Sequence, residues 1–154
     1  MRGREARSRR RAWPLIAALL LGAGCARSGG PPPIEIGTPC AACGMEVQDL
    51  RFACERKAGR DWRVYDAIEC LIRDARTAAA ASPGPGKAAL ADYDTRALHP
   101  ADSLWVVQGA FPSPMGGGFA AFRGRAAADS VAAMTSGRVG RLAAFVSGSQ
   151  GSAR

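Results

Sequence analysis

Three sulfur-bearing side chains lie within six residues of one another, in the segment Cys40-Ala-Ala-Cys43-Gly-Met45. Thiolates and thioethers are soft ligands that favour Cu(I) over harder ions, which prefer carboxylate or carbonyl oxygen. Gly44 permits a turn that directs Met45 to the same side of the chain as Cys43. The spacing therefore predicts a sulfur-rich metal site, with Cys40, Cys43 and Met45 as candidate ligands.

Met115 is a candidate ligand far along the chain. It lies in a Pro- and Gly-rich stretch at 112–118, with no apolar neighbour at helical or strand spacing. A core methionine normally belongs to a periodic apolar pattern, as Met134 does here. The pattern indicates that a loop presents Met115, and we expect the two distant stretches to fold together around one ion.

The remaining cysteines and the single histidine leave alternatives open. Cys40 and Cys43 could instead form a structural or redox-active disulfide, and a Cys54–Cys70 bridge would make the chain a purely structural protein. Cys54 fits a small buried residue in a strand, whereas Cys70 falls on the helix face opposite the apolar stripe. His99 is expected in a surface loop. Whether Cys70 or His99 joins the metal site stays open.

Other chemistries lack the residues that they need. A closed zinc site requires four Cys or His ligands, and a second pair at suitable spacing is missing. No Gly-rich phosphate cradle follows a strand, and the only histidine has no nucleophile motif near it. We therefore expect a binding protein and not an enzyme. The enzymatic alternative is a thiol–disulfide oxidoreductase that uses Cys40 and Cys43.

The first 24 residues are predicted to be an export signal. Six arginines accompany an apolar run from Leu15 to Leu21, which is too short to cross a bilayer core of about 30 Å. The run ends in Gly-Ala-Gly-Cys25, which resembles a bacterial lipoprotein box whose cysteine becomes the lipidated first residue. Ordinary cleavage that releases a soluble protein is the alternative.

The net charge of +8 does not indicate a nucleic-acid binder. Most of the excess lies in the predicted signal at 1–24, and the other basic residues are scattered without interleaved aromatic side chains. A nucleic-acid-binding protein needs a continuous basic face. We therefore expect no nucleic-acid partner.

The mature chain is predicted to have one domain. A Gly- and Pro-rich flexible tether at 25–39 precedes a metal-binding domain at 40–147, and a disordered tail follows at 148–154. The fold class is α+β, a single compact domain of two similar ββαβ halves. The expected elements are a hairpin over 45–65, a helix that Asp66 caps with Glu69 three residues on, a strand near 90–93, strands at 104–107 and 119–122, a helix at 125–136 and a last strand near 142–146.

These motifs together resemble the NosL family, lipoproteins that act as copper chaperones in the assembly of nitrous oxide reductase. The resemblance spans about residues 20–136. Its motifs are the Cys25 box, the Cys-x-x-Cys-Gly-Met segment, the hairpin leading into Val64–Cys70, Trp105–Gly109, the Pro-Met-Gly at 114–116 and Phe122.

The resemblance implies a Cu(I) site formed by Cys43, Met45 and Met115, with Cys40 matching a cysteine that is often present. It also implies a lipid anchor in the cell membrane or outer membrane, facing the periplasm. The implied partners are nitrous oxide reductase and the membrane transporter machinery that matures it. A generic copper-carrying lipoprotein is the alternative.

Overall fold

The structure, a computed structural model, describes residues 30–78 and 84–148. The predicted export signal at 1–24, the lipidation prediction at Cys25 and residues 149–154 of the predicted tail lie outside those ranges. Among the described residues, no helix combines the length and the apolar character that crossing a bilayer requires.

The first half of the chain forms a four-stranded antiparallel sheet. Its central hairpin pairs β1 (Cys54–Ala58) with β2 (Asp61–Tyr65). On the other side of β1 lies β3 (Ala88–Ala91), and β4 (Leu98–Pro100) pairs with β3, so that the strand order is β2-β1-β3-β4. The helix α1 (Ile68–Ala78) connects β2 to β3 and packs against β1 and β2.

The second half repeats this arrangement with a three-stranded antiparallel sheet. Its elements in chain order are β5 (Trp105–Gln108), β6 (Phe119–Phe122), α2 (Arg125–Met134) and β7 (Arg138–Gly140). The strand order β6-β5-β7 matches β2-β1-β3, because in each half the strand after the helix pairs with the free side of the first strand. The predicted α+β fold of two ββαβ halves is therefore confirmed.

Three elements differ from the prediction. Residues 45–53 form a loop, so the first strand begins only at Cys54. An extra strand, β4, forms where the sequence pattern predicted a connecting loop. Residues 142–146, predicted as a strand, belong to the helix α3 (Leu142–Ser147), and β7 is the last strand. A short apolar run fits a strand and a buried helix equally well, and the helical spacing of its buried residues decides the outcome here.

The helix α1 joins the two halves of the core. Its buried side chains pack in one large apolar group with residues from β1, β3, β5, β6 and α3. At its last turn, the Arg76 guanidinium donates hydrogen bonds to the carbonyl oxygens of Phe145, Val146 and Gly148, which fastens the end of α3. The last turn of α1 is thereby joined to the end of α3.

Two helical residues lie opposite to where the sequence pattern put them. Cys70 is only 1% exposed and belongs to the large apolar group, although its position suggested the face away from the core. Met134, assigned to the apolar stripe of α2, is 77% exposed, and the buried residues of that helix are Ala128 and Ala132. A periodic apolar pattern locates the buried face of a helix only to within about one residue. The packing of the helix against the rest of the core determines which residues lie at the centre of that face.

Part of the segment predicted as a tether lies against the domain. Residues 31–34 line a cavity of about 360 Å³ together with Leu50, Ala53 and Leu98. The Gly37 N–H donates to the Val47 carbonyl oxygen at 2.9 Å. The chain is therefore bonded to the domain shortly before the first candidate ligand.

Candidate metal centre

The segment from Cys40 to Met45 is a tight loop closed by its own backbone. The Cys40 N–H donates to the Met45 carbonyl oxygen at 2.8 Å, and the Gly44 N–H donates to the Cys40 carbonyl oxygen at 2.9 Å. Gly44 has a φ of 77°, a conformation that glycine adopts without steric cost. A bridge between Pro39 and Glu46 holds the two ends together. The loop therefore has a defined shape before any ion binds.

A single backbone hydrogen bond fixes this loop beside the start of α1. The Ala41 N–H donates to the carbonyl oxygen of Val64, in β2, at 2.8 Å. The strand ends one residue later, at Tyr65, and the chain turns through Asp66 into the helix. The cysteines of the loop thus face the residues that open α1.

Four side chains converge at this point, namely Cys40, Cys43, Asp66 and Cys70. Their ligand atoms, three thiol sulfurs and one carboxylate oxygen, all lie within 4.8 Å of one another. The Cys43 thiol donates to Asp66 Oδ1 across 3.6 Å. We refer to these four residues as the donor quartet.

One carboxylate oxygen of the quartet meets no hydrogen-bond geometry in the part of the chain that the structure describes. Asp66 is buried, and its Oδ2 has no hydrogen-bond partner among the described residues. A buried, unpartnered carboxylate oxygen is costly in an apolar surrounding, and a bound cation removes that cost. The chemistry of the donor set therefore fits a metal ion.

The surroundings of the two innermost thiols raise their pKa. Burial, reinforced by hydrogen bonding with Asp66, raises the pKa of both Cys40 and Cys70 above the usual value for a thiol. A thiol–disulfide oxidoreductase needs a lowered thiol pKa to provide the attacking thiolate. The raised pKa of Cys40 therefore argues against the redox enzyme considered from the sequence.

Cys54 is buried in the same core but stands outside the quartet. Its thiol donates to the carbonyl oxygen of Ala67 at 3.5 Å, and burial raises its pKa well above the usual value. The four cysteines at 40, 43, 54 and 70 are free thiols in the structure. His99 lies half-buried on β4 and is not a member of the quartet.

The loop that carries Met115 is tied to the first turn of α1. Glu69 Oε1 accepts hydrogen bonds from the Ser113 hydroxyl at 2.8 Å and from the Gly117 N–H at 3.0 Å. Met115 itself is half-buried and packs against the large apolar group, as Cys43 does. The structure therefore brings the Met115 loop and the cysteine loop to the same end of α1.

The candidate ligands differ in their access to solvent. Cys40 and Cys70 are buried, Cys43 is half-buried, and Met45 is 49% exposed at the rim of the loop. An ion at this end of the helix would have thiols beneath it and methionine sulfur toward the solvent. Such a gradient allows a second protein to reach the ion from outside.

Two residues of this region, Asp66 and Glu69, are not recognised from the sequence as parts of a site. The sequence predicts a helix-capping role for both, and it leaves the role of Cys70 open. The available signal is that Asp66 lies just before α1 and Cys70 in its first turn, so that both residues are at the same end of the helix.

Comparison with known proteins gives a likeness of fold. No protein-family model matches the chain, and no curated protein matches it. Among solved structures, the chain is similar to the crystal structure of the copper chaperone NosL from Shewanella denitrificans, with a TM-score of 0.62 and 15% sequence identity. The match covers 79% of this chain and 97% of that one. The chain therefore shares the fold of that copper chaperone over nearly the whole length of the latter.

Proposed function

We propose that this chain is a copper carrier, which binds Cu(I) through cysteine and methionine sulfur and passes it to an acceptor protein. The observation that carries the proposal is the convergence of three thiols at the start of α1, where the Met115 loop is also fastened. Clustered sulfur donors favour soft metal ions, among them Cu(I), over harder ones. The likeness of fold to a copper chaperone supports the same function.

The proposed copper ligands are Cys43, Met45 and Met115, with Cys40 as a further donor. Cys43 is central to the proposal, because its exposure is intermediate between that of the buried thiols and that of Met45. A carrier must retain its ion yet release it on contact with an acceptor. Ligands at the rim suit that task, because an acceptor can replace them one at a time.

A titration of the reduced chain with Cu(I), in competition with a chromophoric Cu(I) chelator, tests the proposal. We expect one equivalent to bind with submicromolar affinity. The double variant Cys43→Ser, Met115→Leu should lose affinity by about a hundredfold, because two of the sulfur donors are gone. X-ray absorption on the copper-loaded chain should show scattering dominated by sulfur.

Two matched variants control for the loss of sulfur elsewhere. Cys54→Ala removes a buried thiol outside the quartet, and Met134→Leu removes an exposed thioether on α2. Neither should change Cu(I) affinity. Micromolar or weaker binding by the unaltered chain, or a double variant that binds as tightly as these controls, would refute the copper-carrier proposal.

We further propose that the acceptor is the machinery that matures nitrous oxide reductase, and that a lipid on Cys25 anchors the chain to the cell membrane or outer membrane, facing the periplasm. The lipoprotein box and the combination of the Cys-Gly-Met and Pro-Met-Gly motifs support this assignment. A generic copper-carrying lipoprotein would have the same anchor with a different acceptor.

Anchor and acceptor are tested separately. Mass spectrometry of the protein extracted from its native membrane should find a lipidated Cys25 at the N-terminus, and Cys25→Ala should release the chain from the membrane. Deletion of the gene should leave nitrous oxide reductase short of copper. A copper-replete reductase in the deletion strain would refute that acceptor but not copper binding.

A further inference from the structure

A carboxyl group is buried on the face of the first sheet that points away from α1. Side chains alternate between the two faces of a strand, and directly paired residues share a face. Cys54 lies on the α1 side, within the large apolar group, so Glu55 is on the opposite face. Its pairing partners Val64 and Ala89 share that face. Glu55 is 0% exposed, and neither of its carboxyl oxygens has a hydrogen-bond partner among the described residues.

The N-terminal part of the domain covers this face. Three alanines of the face are each at most 2% exposed, although none belongs to either apolar group of the core; they are Ala53, Ala89 and Ala91. Residues 31–34 lie against Ala53, Ala91 and Leu98 around the cavity of about 360 Å³. We refer to residues 31–39 as the strap.

The strap crosses the sheet from its β4 side to its β2 side. It starts against Leu98 of β4, and two residues after its end the Ala41 N–H donates to the carbonyl oxygen of Val64, in β2. The strands β1 and β3 lie between β2 and β4, and Val64 is the pairing partner of Glu55. The strap therefore passes over the strand that carries Glu55 and continues directly into Cys40.

Few bonds hold the strap on the sheet. Its first three residues are prolines, which have no backbone N–H. Its backbone hydrogen bonds run to the neighbouring loop, where the Gly37 N–H donates to the Val47 carbonyl oxygen and the Val47 N–H donates to that of Thr38, each at 2.9 Å. Within the described ranges, a backbone bond to a strand comes only with Ala41. A segment held in this way can open while the rest of the domain stays folded.

We propose that Glu55 is a pH-sensitive switch for the strap. Its protonated carboxyl group keeps the strap closed on the sheet, and loss of the proton opens the strap and loosens the Cys40–Met45 loop. The physical reason is that an ionised carboxylate beneath the strap has no partner, whereas opening gives it access to water. The opening of the strap stands by itself, and its effect on copper rests on the copper-carrier proposal.

The charged side chains around Glu55 leave it without a counterion. Lys57, on the same face of β1, lies over the Trp62 ring, 5.8 Å from its centroid. The other charged side chains of the covering segments and adjoining turns are exposed or paired with one another; they are Glu35, Glu46, Asp49, Arg51, Lys87 and Arg96. Burial therefore decides the protonation of Glu55, and it raises the pKa from 4.5 to about 7.

The direction of the pH effect follows from this raised pKa. The closed strap keeps a proton on Glu55 that an open strap releases above about pH 4.5. Closure is therefore complete below that pH and is lost as the pH rises through about 7. Between these two values the equilibrium constant for opening should rise by about tenfold per pH unit.

Amide hydrogen exchange of the full chain, purified and reduced, tests the switch at a series of values between about pH 5 and 8, with rates corrected for the intrinsic pH dependence of exchange. The probes are the amides of Gly37 and Val47. Their protection should fall by about tenfold per pH unit between about pH 5 and 7. It should also be at least about tenfold lower than that of Val106 and Val107 in the central strand β5.

Two results of this experiment would overturn the proposal. Protection of Gly37 and Val47 that does not change with pH would show that no proton holds the strap. Protection equal to that of the β5 amides would show that the strap opens only when the whole domain unfolds.

Variants assign the effect to Glu55. Glu55→Gln removes the titrating proton and keeps the size of the side chain, so the protection of its strap amides should change by less than about threefold over the same range. Glu35→Gln is the matched control, because it alters an exposed carboxyl group of the strap and should retain the pH dependence. An unchanged pH dependence in Glu55→Gln would overturn the assignment. If that variant does not fold, Glu55→Met replaces it.

The effect on copper is measured as the ratio of the Cu(I) affinities of Glu55→Gln and the unaltered chain, because thiol protonation changes both affinities alike. The ratio should be close to one near pH 5 and should reach at least about threefold near pH 8. A ratio that stays flat would refute the coupling of strap and loop. Absence of Cu(I) binding in both proteins would refute the copper carrier, and hydrogen exchange would still decide the switch.

Discussion

The Glu69 carboxylate accepts a hydrogen bond from the Gly117 backbone N–H, with 3.0 Å between the two atoms. The two residues belong to different ββαβ halves: Glu69 lies in the first turn of α1, and Gly117 lies in the loop between β5 and β6. The same carboxylate oxygen accepts the Ser113 hydroxyl. One side chain therefore holds the Met115 loop beside the donor quartet.

Replacing Glu69 by Ala should loosen the Met115 loop. Hydrogen bonds to a charged group contribute about 1.5–3 kcal/mol, so the free energy of unfolding should fall by about 2 kcal/mol. Because Met115 would no longer be held near the thiols, Cu(I) affinity should fall by about tenfold. Urea unfolding and chelator competition measure the two effects. Glu35→Ala, at an exposed position, is the control. An unchanged Cu(I) affinity in Glu69→Ala would show that the contact serves stability only.

Gly118 forms the base of the same loop and should not tolerate a side chain. Its φ is +66°, and an added Cβ would come within 1.9 Å of the Gly109 carbonyl oxygen. We expect Gly118→Ala to lower the free energy of unfolding by about 2–4 kcal/mol. Gly116→Ala is the matched comparison, because its φ is also positive but the space around it is open. It should cost only about 1–2 kcal/mol. Equal losses in urea unfolding would contradict the packing argument.

Glu55 should make the stability of the domain depend on pH. It is fully buried in β1 between Val64 and Ala89, and neither carboxyl oxygen has a hydrogen-bond partner among the residues described. Burial raises its pKa to about 7, from 4.5. The folded state therefore keeps a proton that the unfolded chain releases above about pH 4.5. The stability provided by this proton is complete below that pH and is lost as the pH rises through about 7.

The lost stability should be on the order of 3 kcal/mol, since each pKa unit corresponds to about 1.4 kcal/mol. Urea unfolding at a series of values between about pH 4.5 and 8 measures it. Glu55→Gln, which remains neutral, should remove this dependence, whereas Glu35→Gln should retain it. Parallel profiles for Glu55→Gln and the unaltered chain would contradict the assignment.

Asp74 organises an ion-pair network between α1 and the β1–β2 hairpin. It accepts hydrogen bonds from the Tyr65 hydroxyl at 2.7 Å, from Arg63 at 3.0 Å and from Arg56. Burial acts to raise the Asp74 pKa, but the hydrogen bonds from Tyr65 and Arg56 outweigh it, so the pKa lies below its usual value. The stability from this network is therefore present above about pH 4 and is lost as the pH falls through the lowered pKa.

Asp74→Ala should destabilise the domain by about 3–5 kcal/mol, because it leaves the buried Arg56 guanidinium without its carboxylate. The exposed pair Arg125–Asp129 provides a comparison, since it lies on one helix face with both side chains more than half exposed. Asp129→Ala should cost less than about 0.5 kcal/mol. Urea unfolding at neutral pH measures the free energy of unfolding of both variants. If it falls by a similar amount in the two, the burial of Arg56 does not increase the cost of removing its carboxylate partner.

Local patterns in the sequence were enough to predict the ββαβ order of each half and a loop that carries two cysteines. The apolar stripe that includes Ile68, Leu71 and Ala75 predicts α1, because burial of one helix face requires that spacing. Gly44 between Cys43 and Met45 predicts a loop that carries soft ligands. Each of these predictions depends on residues that are neighbours along the chain. Where a strand and a helix satisfy the same local pattern, as at 142–146, the pattern alone does not decide between them.

Only the tertiary structure decided which side chains meet. Asp66 and Cys70 join Cys40 and Cys43 because the Ala41 N–H bonds to Val64, at the end of the strand that leads into α1. The Met115 loop reaches the same place because Glu69 accepts its N–H and hydroxyl groups. These contacts join residues more than twenty positions apart. A local periodic pattern cannot predict such contacts, because they depend on how the two sheets pack around one helix.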